Sequence, residues 1–251
     1  MYLYPTEAVR IFAHRGLTVA ADSSAIDENT LPAFARALEV GADYIESDIQ
    51  VTRDGVPVLF HDDTLGRVSS VDAPVGRLTL DELAEVRLEH AGRVPTLAEA
   101  LEQFPHARFN LDFKSVPAIT AGCRVIHDYG AQARVMVASF SDARGDAAMN
   151  KLPGVARSAG SLRTLRAVLA QQLHLDFLLG MALTGVDALQ IPTAQGKLRL
   201  DSPGFIAALK RHNVEAHYWT INDVAEMRRL VAAGASGIVT DRADLAVAAL
   251  R

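Results

Sequence analysis

The sequence alternates short apolar runs with amphipathic segments from its beginning to its end, and this alternation limits the folds open to it. Segments such as "AVRIFAH" and "ARVMVASF" are typical of buried strands, and most are followed by a segment with helical periodicity, such as "SLRTLRAVLAQQL". We count eight such strands. The segment "GVPVLFHD" is set aside, because it follows a tight "RDG" turn and is predicted to pair with strand two as a hairpin. Strand–helix alternation predicts parallel strands joined by right-handed crossovers.

Eight strand–helix units in 251 residues predict an α/β protein with the (β/α)8 barrel architecture. A doubly wound open sheet is the alternative, but no glycine-rich phosphate turn follows the first strand. We predict a single domain over residues 1–251, because no linker or low-complexity segment interrupts the pattern. The irregular segment 62–95, which holds one helical pattern in "LTLDELAEVR", is predicted to be a small insertion after the second strand.

Composition narrows the classes of partner. The formal net charge is −5, with 25 basic and 30 acidic residues, which argues against nucleic acid or an anionic membrane. A phosphate substrate is not excluded, since a few local cations can reverse the field inside a pocket. The single cysteine, Cys123, rules out an internal disulfide and is predicted to be a small buried residue of a helix. The amino-terminal segment has no signal-peptide pattern, and no apolar stretch has membrane-spanning length. We therefore expect a cytoplasmic protein without stable membrane association, and leave its oligomeric state open.

Polar residues collect where the predicted strands end. In a (β/α)8 barrel the carboxyl ends of the strands form the face on which chemistry takes place. The candidates at this rim, in chain order, are His14, Arg15, Glu46, Asp48, His61, Asp112, Lys114, Ser139, Trp219 and Asp241.

The carboxylates of this set suggest a metal site. Residues two apart on a strand share a face, so Glu46 and Asp48 point the same way, as do Asp112 and Lys114. Three carboxylates at one barrel mouth repel each other, and a divalent cation would offset that repulsion. Oxygen-only ligands favour Ca²⁺ or Mg²⁺ over Zn²⁺. The alternative is a set of separate surface ion pairs, although carboxylates are rarely buried in a strand without a partner.

The histidines and cations suggest the reaction class. His14 and His61 at the rim form a candidate acid–base pair, since imidazole titrates near neutral pH. Arg15 and Lys114 are candidate donors to an oxyanion. Together with a divalent metal they favour phosphoryl transfer. His217 shares a strand face with Trp219 and is a further candidate for the pocket wall.

Several segments together resemble one enzyme family. The matching segments, in family order over roughly residues 9–245, are "AHRG", "ENTLPAF", "GADYIESDIQVTRDGVPVLFHDDTLGR", "VPTLAEAL", "NLDFK", "VASFS" and "HYWTINDVAEMRRLVAAGASGIVTD". The sequence thereby resembles the glycerophosphodiester phosphodiesterase family, within the wider superfamily of phospholipase C-like phosphodiesterases. The "GASGIVTD" segment alone would not be specific, because other barrels share it.

The resemblance implies a TIM-barrel enzyme that cleaves glycerophosphodiesters to an alcohol and glycerol 3-phosphate with a divalent metal. Carried over to this sequence, it implies His14 and His61 as the catalytic acid–base pair and Glu46, Asp48 and Asp112 as ligands of Ca²⁺ or Mg²⁺. It also implies a substrate-binding group made up of Arg15, Lys114, Glu28, Asn29 and Trp219. Arg15 and Lys114 would contact phosphate, Glu28 and Asn29 would orient the site or the metal, and Trp219 would form a pocket wall. The substrate would be a small molecule. Which histidine is acid and which is base stays open.

The sequence departs from the family pattern at two positions. The sequence has Glu46-Ser47-Asp48 where the family often has Glu-Leu-Asp, so Ser47 replaces a leucine. Ser47 is expected to point away from the ligands and leave them unaffected. Asp112 stands where a glutamate is common, and its shorter side chain leaves the choice of metal open. The short segment 62–95 predicts an open site and a small head group.

Two other functions remain open at this point. A lysophospholipase D or a sphingomyelinase D-like enzyme would be favoured by an apolar patch around the barrel mouth. None is evident in segment 62–95, which is polar and charged. A non-catalytic barrel that binds a phosphorylated ligand would be favoured by loss of a histidine or a carboxylate, and all are present.

Overall fold

A ring of eight parallel strands forms the centre of the structure. The computed structural model describes residues 2–3, 8–19, 25–196 and 198–251. Part of the amino-terminal segment examined for a signal peptide, residues 1 and 4–7, therefore lies outside the described residues. The strands are β1 (Arg10–His14), β2 (Tyr44–Val51), β3 (Pro57–Leu59), β4 (Arg108–Phe113), β5 (Val135–Ala138), β6 (Ala156–Arg157), β7 (Ala188–Ile191), β8 (Ala194–Gln195), β9 (Leu198–Arg199), β10 (Glu215–Tyr218) and β11 (Gly237–Thr240).

The strand order shows how the ring closes. The neighbours run β6-β5-β4-β2-β1-β11-β10-β7, all in parallel pairs. A parallel bridge between Ser158 and Ala188 joins β6 to β7, and the Ala159 N–H donates to the Ala188 carbonyl at 2.9 Å. The predicted (β/α)8 TIM barrel is therefore confirmed. β3 pairs antiparallel with β2, as the hairpin prediction required.

Helices follow the strands and cover the outside of the barrel. They are α1 (Leu31–Glu39), α2 (Leu80–Ala84), α3 (Leu97–Gln103), α4 (Val116–Asp128), α5 (Asp142–Lys151), α6 (Ser161–Gln172), α7 (Asp176–Ala182), α8 (Pro203–Arg211), α9 (Val224–Ala232) and α10 (Ala243–Leu250). Most begin at a Ser, Thr or Asp whose side chain accepts a backbone N–H of the first turn, as at Thr30 and Asp223. Two elements were not predicted from the sequence: α7, which follows a left-handed residue, His174 (φ 54°), and the β8–β9 hairpin.

The core has two layers, as a closed barrel requires. Apolar residues of the strands' outer faces pack against the helices, and Cys123 on α4 is buried there as predicted. Inside the barrel, Phe12 stacks on Tyr44 with ring centroids 4.5 Å apart. The lower interior is thus filled by side chains, which leaves the carboxyl end as the open end.

Segment 62–95 folds against the barrel beside β3. It contains two 3₁₀ turns (Leu65–Arg67 and Val75–Arg77) and α2. Its apolar residues form a small cluster of their own with Val58 and Phe60. The segment is thereby anchored next to His61. Its designation as an insertion in a single domain stays a prediction.

Within the part of the chain that is described, no helix combines the length and the apolar character needed to cross a bilayer. The cytoplasmic location stays a prediction.

Candidate active site

A cavity of about 650 Å³ opens at the carboxyl ends of the strands. The family resemblance implied ten site residues, and eight of them line this cavity: His14, Arg15, Glu46, Asp48, His61, Asp112, Lys114 and Trp219. Glu28 and Asn29 do not line it. They lie behind the wall, where they contact Arg15 and Asp48.

His14 ends β1 and is held by a carboxylate of the loop after β11. Its Nδ1 lies 2.7 Å from Asp241 Oδ1. An ionised carboxylate only accepts, so Nδ1 carries the proton and Nε2 is left for chemistry. Asn222 fixes Asp241 in turn, with its amide donating to Oδ2 at 2.7 Å. Burial lowers the pKa of His14, but the Asp241 hydrogen bond and the Glu46 charge outweigh burial and raise it above its usual value.

The turn after His14 explains the "HRG" sequence. Arg15 has a left-handed backbone (φ 55°), and its N–H donates to Glu46 Oε2 at 3.0 Å. Gly16 follows with φ 85°, and a Cβ there would lie 2.8 Å from the Ala33 carbonyl carbon. Only glycine fits this approach of the chain to α1, so the turn holds Arg15 with its N–H toward the carboxylates.

Two carboxylates of β2 face the cavity together. Burial and the neighbouring Asp48 charge raise the pKa of Glu46 to about 7. Arg15 Nε lies 3.8 Å from Asp48 Oδ2 and makes no hydrogen bond in the described structure. This end of the cavity therefore holds negative charge that its neighbours balance only in part.

Lys114 lies between two carboxylates. Its Nζ is 2.8 Å from Asp48 Oδ1 and 2.7 Å from Asp112 Oδ2. Burial lowers the pKa of Lys114, but these two charges outweigh it and raise the pKa, so the ammonium stays charged. Burial raises the pKa of Asp112 despite this partner.

Ser47 takes part in the site indirectly, contrary to the expectation that it leaves the ligands unaffected. It is fully buried, and its hydroxyl donates to Asn29 Oδ1 at 2.6 Å. The Asn29 amide donates in turn to Asp48 Oδ2 at 3.3 Å. The two hydrogen bonds orient Asp48 from behind the cavity wall.

His61 is held from the insertion rather than from the barrel. Its Nδ1 lies 2.6 Å from Asp62 Oδ1, so this ring also keeps Nε2 for chemistry. Arg67, at the end of the first 3₁₀ turn, donates to Asp62 Oδ2 and to Glu28 Oε1, both at 2.5 Å. Glu28 accepts from Arg15 as well, at 3.0 Å. Arg67 thus links the supports of His61 and Arg15.

His217 lies below the cavity and does not line it. The ring is fully buried, with Nε2 2.9 Å from Glu215 Oε2, and Glu215 pairs with Arg10 at 2.8 Å. Asn110 and Gln190 line the cavity and form the floor above it, with Gln190 Nε2 3.5 Å from His217 Nδ1 and Asn110 donating to Gln190 Oε1 at 3.1 Å. The interpretation of His217 as a pocket wall was therefore wrong, because residue 217 belongs to a deeper layer of the barrel than Trp219.

The opposite side of the cavity is uncharged and largely apolar, with serine, threonine and glutamine residues among its lining. Trp219 packs edge-on against Phe140, with ring centroids 6.2 Å apart. Further apolar lining comes from α6 and from the chain around the β8–β9 hairpin, with Leu165, Val168 and Leu198 among the lining residues. The cavity thus has a charged half, formed by described lining residues between 14 and 114, and an uncharged half, formed by described lining residues between 138 and 220.

Comparison with known proteins agrees with this geometry. The glycerophosphoryl diester phosphodiesterase family model matches residues 14–245. The chain belongs to this family. Its relatives include a probable glycerophosphodiester phosphodiesterase 2 of Mycobacterium tuberculosis, 32% identical over 93% of this chain and 87% of the relative. They also include a glycerophosphodiester phosphodiesterase of Caldanaerobacter subterraneus, 30% identical over 92% of this chain and 93% of the relative. Family membership confirms the resemblance drawn from the sequence and the prediction of an enzyme of this class.

A solved structure shows the same family fold. The glycerophosphodiester phosphodiesterase of Agrobacterium tumefaciens superposes with a TM-score of 0.77 at 25% identity, over 96% of this chain and 98% of that chain. The barrel and its open end are therefore those of the family.

The donors at the rim fit a divalent cation by their chemistry. They are carboxylate oxygens, and Asp112 Oδ1 is buried with no hydrogen-bond partner in the described structure. As placed, however, no three His, Cys, Asp or Glu side chains among the described residues converge on one point. The Lys114 ammonium lies between Asp48 and Asp112, so a metal ion would compete with it for the same oxygens.

The residues that support the site were not predicted from the sequence as supports. Asp241 was recognised only as a rim residue, and Asp62, Arg67 and Asn222 were not singled out. Position in the sequence was the available signal for Asp241 and Asp62. Asp241 follows β11, the neighbour of β1, and Asp62 is adjacent to His61. Arg67 carried no such signal, because a charged residue in an irregular segment is typical of a solvated loop.

Proposed function

We propose that this family member hydrolyses glycerophosphodiesters to an alcohol and glycerol 3-phosphate by acid–base catalysis with His14 and His61. One observation carries the proposal. Both imidazoles line one cavity, and each has a carboxylate at Nδ1 that leaves Nε2 for proton transfer. The charged half of the cavity adds the cations Arg15 and Lys114, which suit a phosphate group.

The two histidines would exchange protons with the two oxygens that change partners. One Nε2 takes the proton from the nucleophile, which is either water or the glycerol hydroxyl next to the phosphoester. The other Nε2 gives a proton to the leaving alkoxide as its bond to phosphorus breaks. Lys114 and Arg15 would stabilise the negative charge that develops on the phosphoryl oxygens. Asp241 and Asp62 keep both rings in the required tautomer.

A divalent cation, Ca²⁺ or Mg²⁺, is part of the proposal. Glu46, Asp48 and Asp112 would hold the cation. Burial and the Asp48 charge raise the pKa of Glu46 to about 7, and a bound cation would offset both effects. When bound, the cation would neutralise charge on the phosphate oxygens. The Ser47–Asn29 pair would keep Asp48 turned toward it.

The cavity size supports a small-molecule substrate. A volume of about 650 Å³ lies within the range of pockets that enclose small ligands.

Hydrolysis of glycerophosphocholine and glycerophosphoethanolamine tests the function. The assay compares the unaltered enzyme, His14→Ala and His61→Ala, each with and without EDTA followed by Ca²⁺ or Mg²⁺. We expect glycerol 3-phosphate release that EDTA abolishes, that added metal restores and that each substitution lowers by about 10²- to 10⁴-fold. Activity that persists in EDTA would exclude the metal, and activity unchanged in both variants would exclude the two histidines.

A further inference from the structure

The two halves of the cavity differ in the ligands that they suit. The charged lining residues come from one side of the barrel: His14, Arg15, Glu46, Asp48, His61, Asp112 and Lys114. Among the described lining residues between 138 and 220, none is charged. A phosphate bound in the charged half therefore leaves the rest of the substrate facing an uncharged wall.

The volume of the cavity exceeds what the product needs. Glycerol 3-phosphate has ten non-hydrogen atoms, and even at about 30 Å³ each, the share of a water molecule in the liquid, they fill about 300 Å³. The cavity measures about 650 Å³. About half of it is left for other parts of the substrate.

The uncharged side of the cavity is lined largely by apolar side chains, with serine, threonine and glutamine residues among them. Of its apolar members, Val168 and Leu200 are buried and Leu198 is partly buried. Phe140 and Leu165 line its mouth and are 61% and 50% exposed. Large apolar side chains exposed at a cavity mouth are typical of surfaces that bind apolar groups.

We propose that the uncharged half is a subsite for a hydrocarbon chain, so that the preferred substrate is a phosphodiester of glycerol carrying one such chain. The inference rests on the proposed function. The chain is either an acyl group on the glycerol or the leaving alcohol itself. In either case water adds its oxygen to phosphorus, the bond from phosphorus to the leaving alcohol breaks, and the proton passes to that alcohol. The expectation of a small head group, drawn from segment 62–95, stays a prediction, and the proposal departs from it only where the chain is the leaving alcohol.

Kinetics with matched substrates test the subsite. Glycerophosphocholine is compared with octanoyl-lysophosphatidylcholine, which adds the chain to the glycerol, and with the octyl ester of glycerol 3-phosphate, which carries it on the alcohol. All are used below their micellar concentrations. We expect at least one chain-bearing substrate to exceed glycerophosphocholine in kcat/KM by about tenfold or more, since one methylene in an apolar pocket already discriminates by that factor.

A pair of variants on one helix controls for general effects. Leu165 and Leu162 both lie on α6 and are both 50% exposed, but only Leu165 lines the cavity. Leu165→Gln should lower the preference for the chain by about threefold or more, because it removes apolar contact area. Leu162→Gln should leave the preference unchanged. Equal effects of the two substitutions would overturn the assignment.

Product binding separates the two proposals. Calorimetry compares octanoyl-glycerol 3-phosphate with glycerol 3-phosphate on the unaltered enzyme, and the subsite predicts tighter binding of the octanoyl compound. If glycerophosphocholine is hydrolysed as well as the chain-bearing substrates, and both products bind equally, the subsite is refuted and the proposed function stands. If no diester is hydrolysed, the proposed function fails, and the calorimetry still decides whether the apolar subsite exists.

Discussion

The charged and the uncharged halves of the cavity are built in different ways. In the charged half each side chain is fixed by a second one: His14 by Asp241, His61 by Asp62 and Asp48 by Asn29. The uncharged half instead has apolar side chains that pack on one another, as Trp219 does on Phe140, and Phe140 and Leu165 are 61% and 50% exposed. Fixed polar groups are suited to chemistry at one atom, and an adaptable apolar wall is suited to a group that varies. The comparison predicts that substitutions in the charged half change turnover of every substrate.

Apart from the two histidines, the largest effect is expected at Lys114. Lys114→Met removes the ammonium between Asp48 and Asp112, leaves two buried carboxylates uncompensated and takes a donor from the phosphate. We expect kcat/KM to fall by about 10²- to 10³-fold for substrates with and without a hydrocarbon chain. Lys114→Arg retains the charge and should recover part of the loss. A loss limited to one substrate would contradict the division of the cavity into two halves.

A smaller effect is expected at Arg67, which in the described part of the chain contacts the site through Asp62 and Glu28. Arg67→Ala should lower kcat by about 10- to 100-fold, as loss of a supporting hydrogen-bond partner does elsewhere. The lysine variant, which keeps one donor, should restore part of the activity. Arg77→Ala is the matched control, because Arg77 ends the second 3₁₀ turn of the same insertion. Equal losses in the two alanine variants would show that Arg67 acts through the stability of the insertion alone.

Ser47→Ala should have a modest effect on both activity and stability. Asn29 Oδ1 loses the Ser47 hydroxyl donor inside the protein, which costs about 1–3 kcal/mol of unfolding free energy. With Asn29 less well fixed, the concentration of Mg²⁺ or Ca²⁺ needed for half-maximal activity should rise severalfold. Chemical denaturation and metal titration measure the two effects. An unchanged metal requirement would show that Ser47 stabilises the fold without orienting Asp48.

The smallest effect on turnover is expected below the cavity floor, where Glu215 contributes to stability rather than to the reaction. Burial raises the pKa of Glu215, but the hydrogen bonds to His217 and Arg10 outweigh it and lower the pKa from 4.5 to about 2. A lowered carboxyl pKa contributes stability above about pH 4.5, and this contribution is lost as the pH falls toward 2. The unfolding free energy should therefore decrease across this range, and less steeply in Glu215→Gln. Parallel curves for the two proteins would contradict the assignment.

The sequence was sufficient to predict the barrel and its rim. All eight barrel strands were predicted, because parallel strands that are covered on both faces consist largely of apolar residues. Glu46 and Asp48 were placed correctly, because period two within a strand fixes the shared face. The two-residue period of a strand does not indicate how deep a residue lies along the barrel axis. His217 and Trp219 share a face, but one lies below the floor formed by Asn110 and Gln190.

The remaining features depend on contacts between distant segments. The pairing of Arg67 with Glu28 and Asp62 spans the insertion and the first loop, and local sequence gives no signal of it. The apolar patch on α6 was missed because leucines at helical spacing predict a buried face, whereas Leu162, Leu165 and Leu169 are exposed. α7 was missed because His174, a residue type with no strong turn preference, takes the left-handed conformation that ends α6.

The pairing of β1 with β11 also sets the order in which the enzyme can become active. His14 and its partner Asp241 are separated by 227 positions and meet only across the seam between the first and last barrel strands. Closing so long a loop is entropically costly, and contacts of such separation form slowly. A chain emerging from the ribosome therefore carries both histidines long before His14 has the partner that fixes its tautomer. Catalytic competence should appear only after the last strand has joined the sheet, which makes activity a direct readout of completed folding.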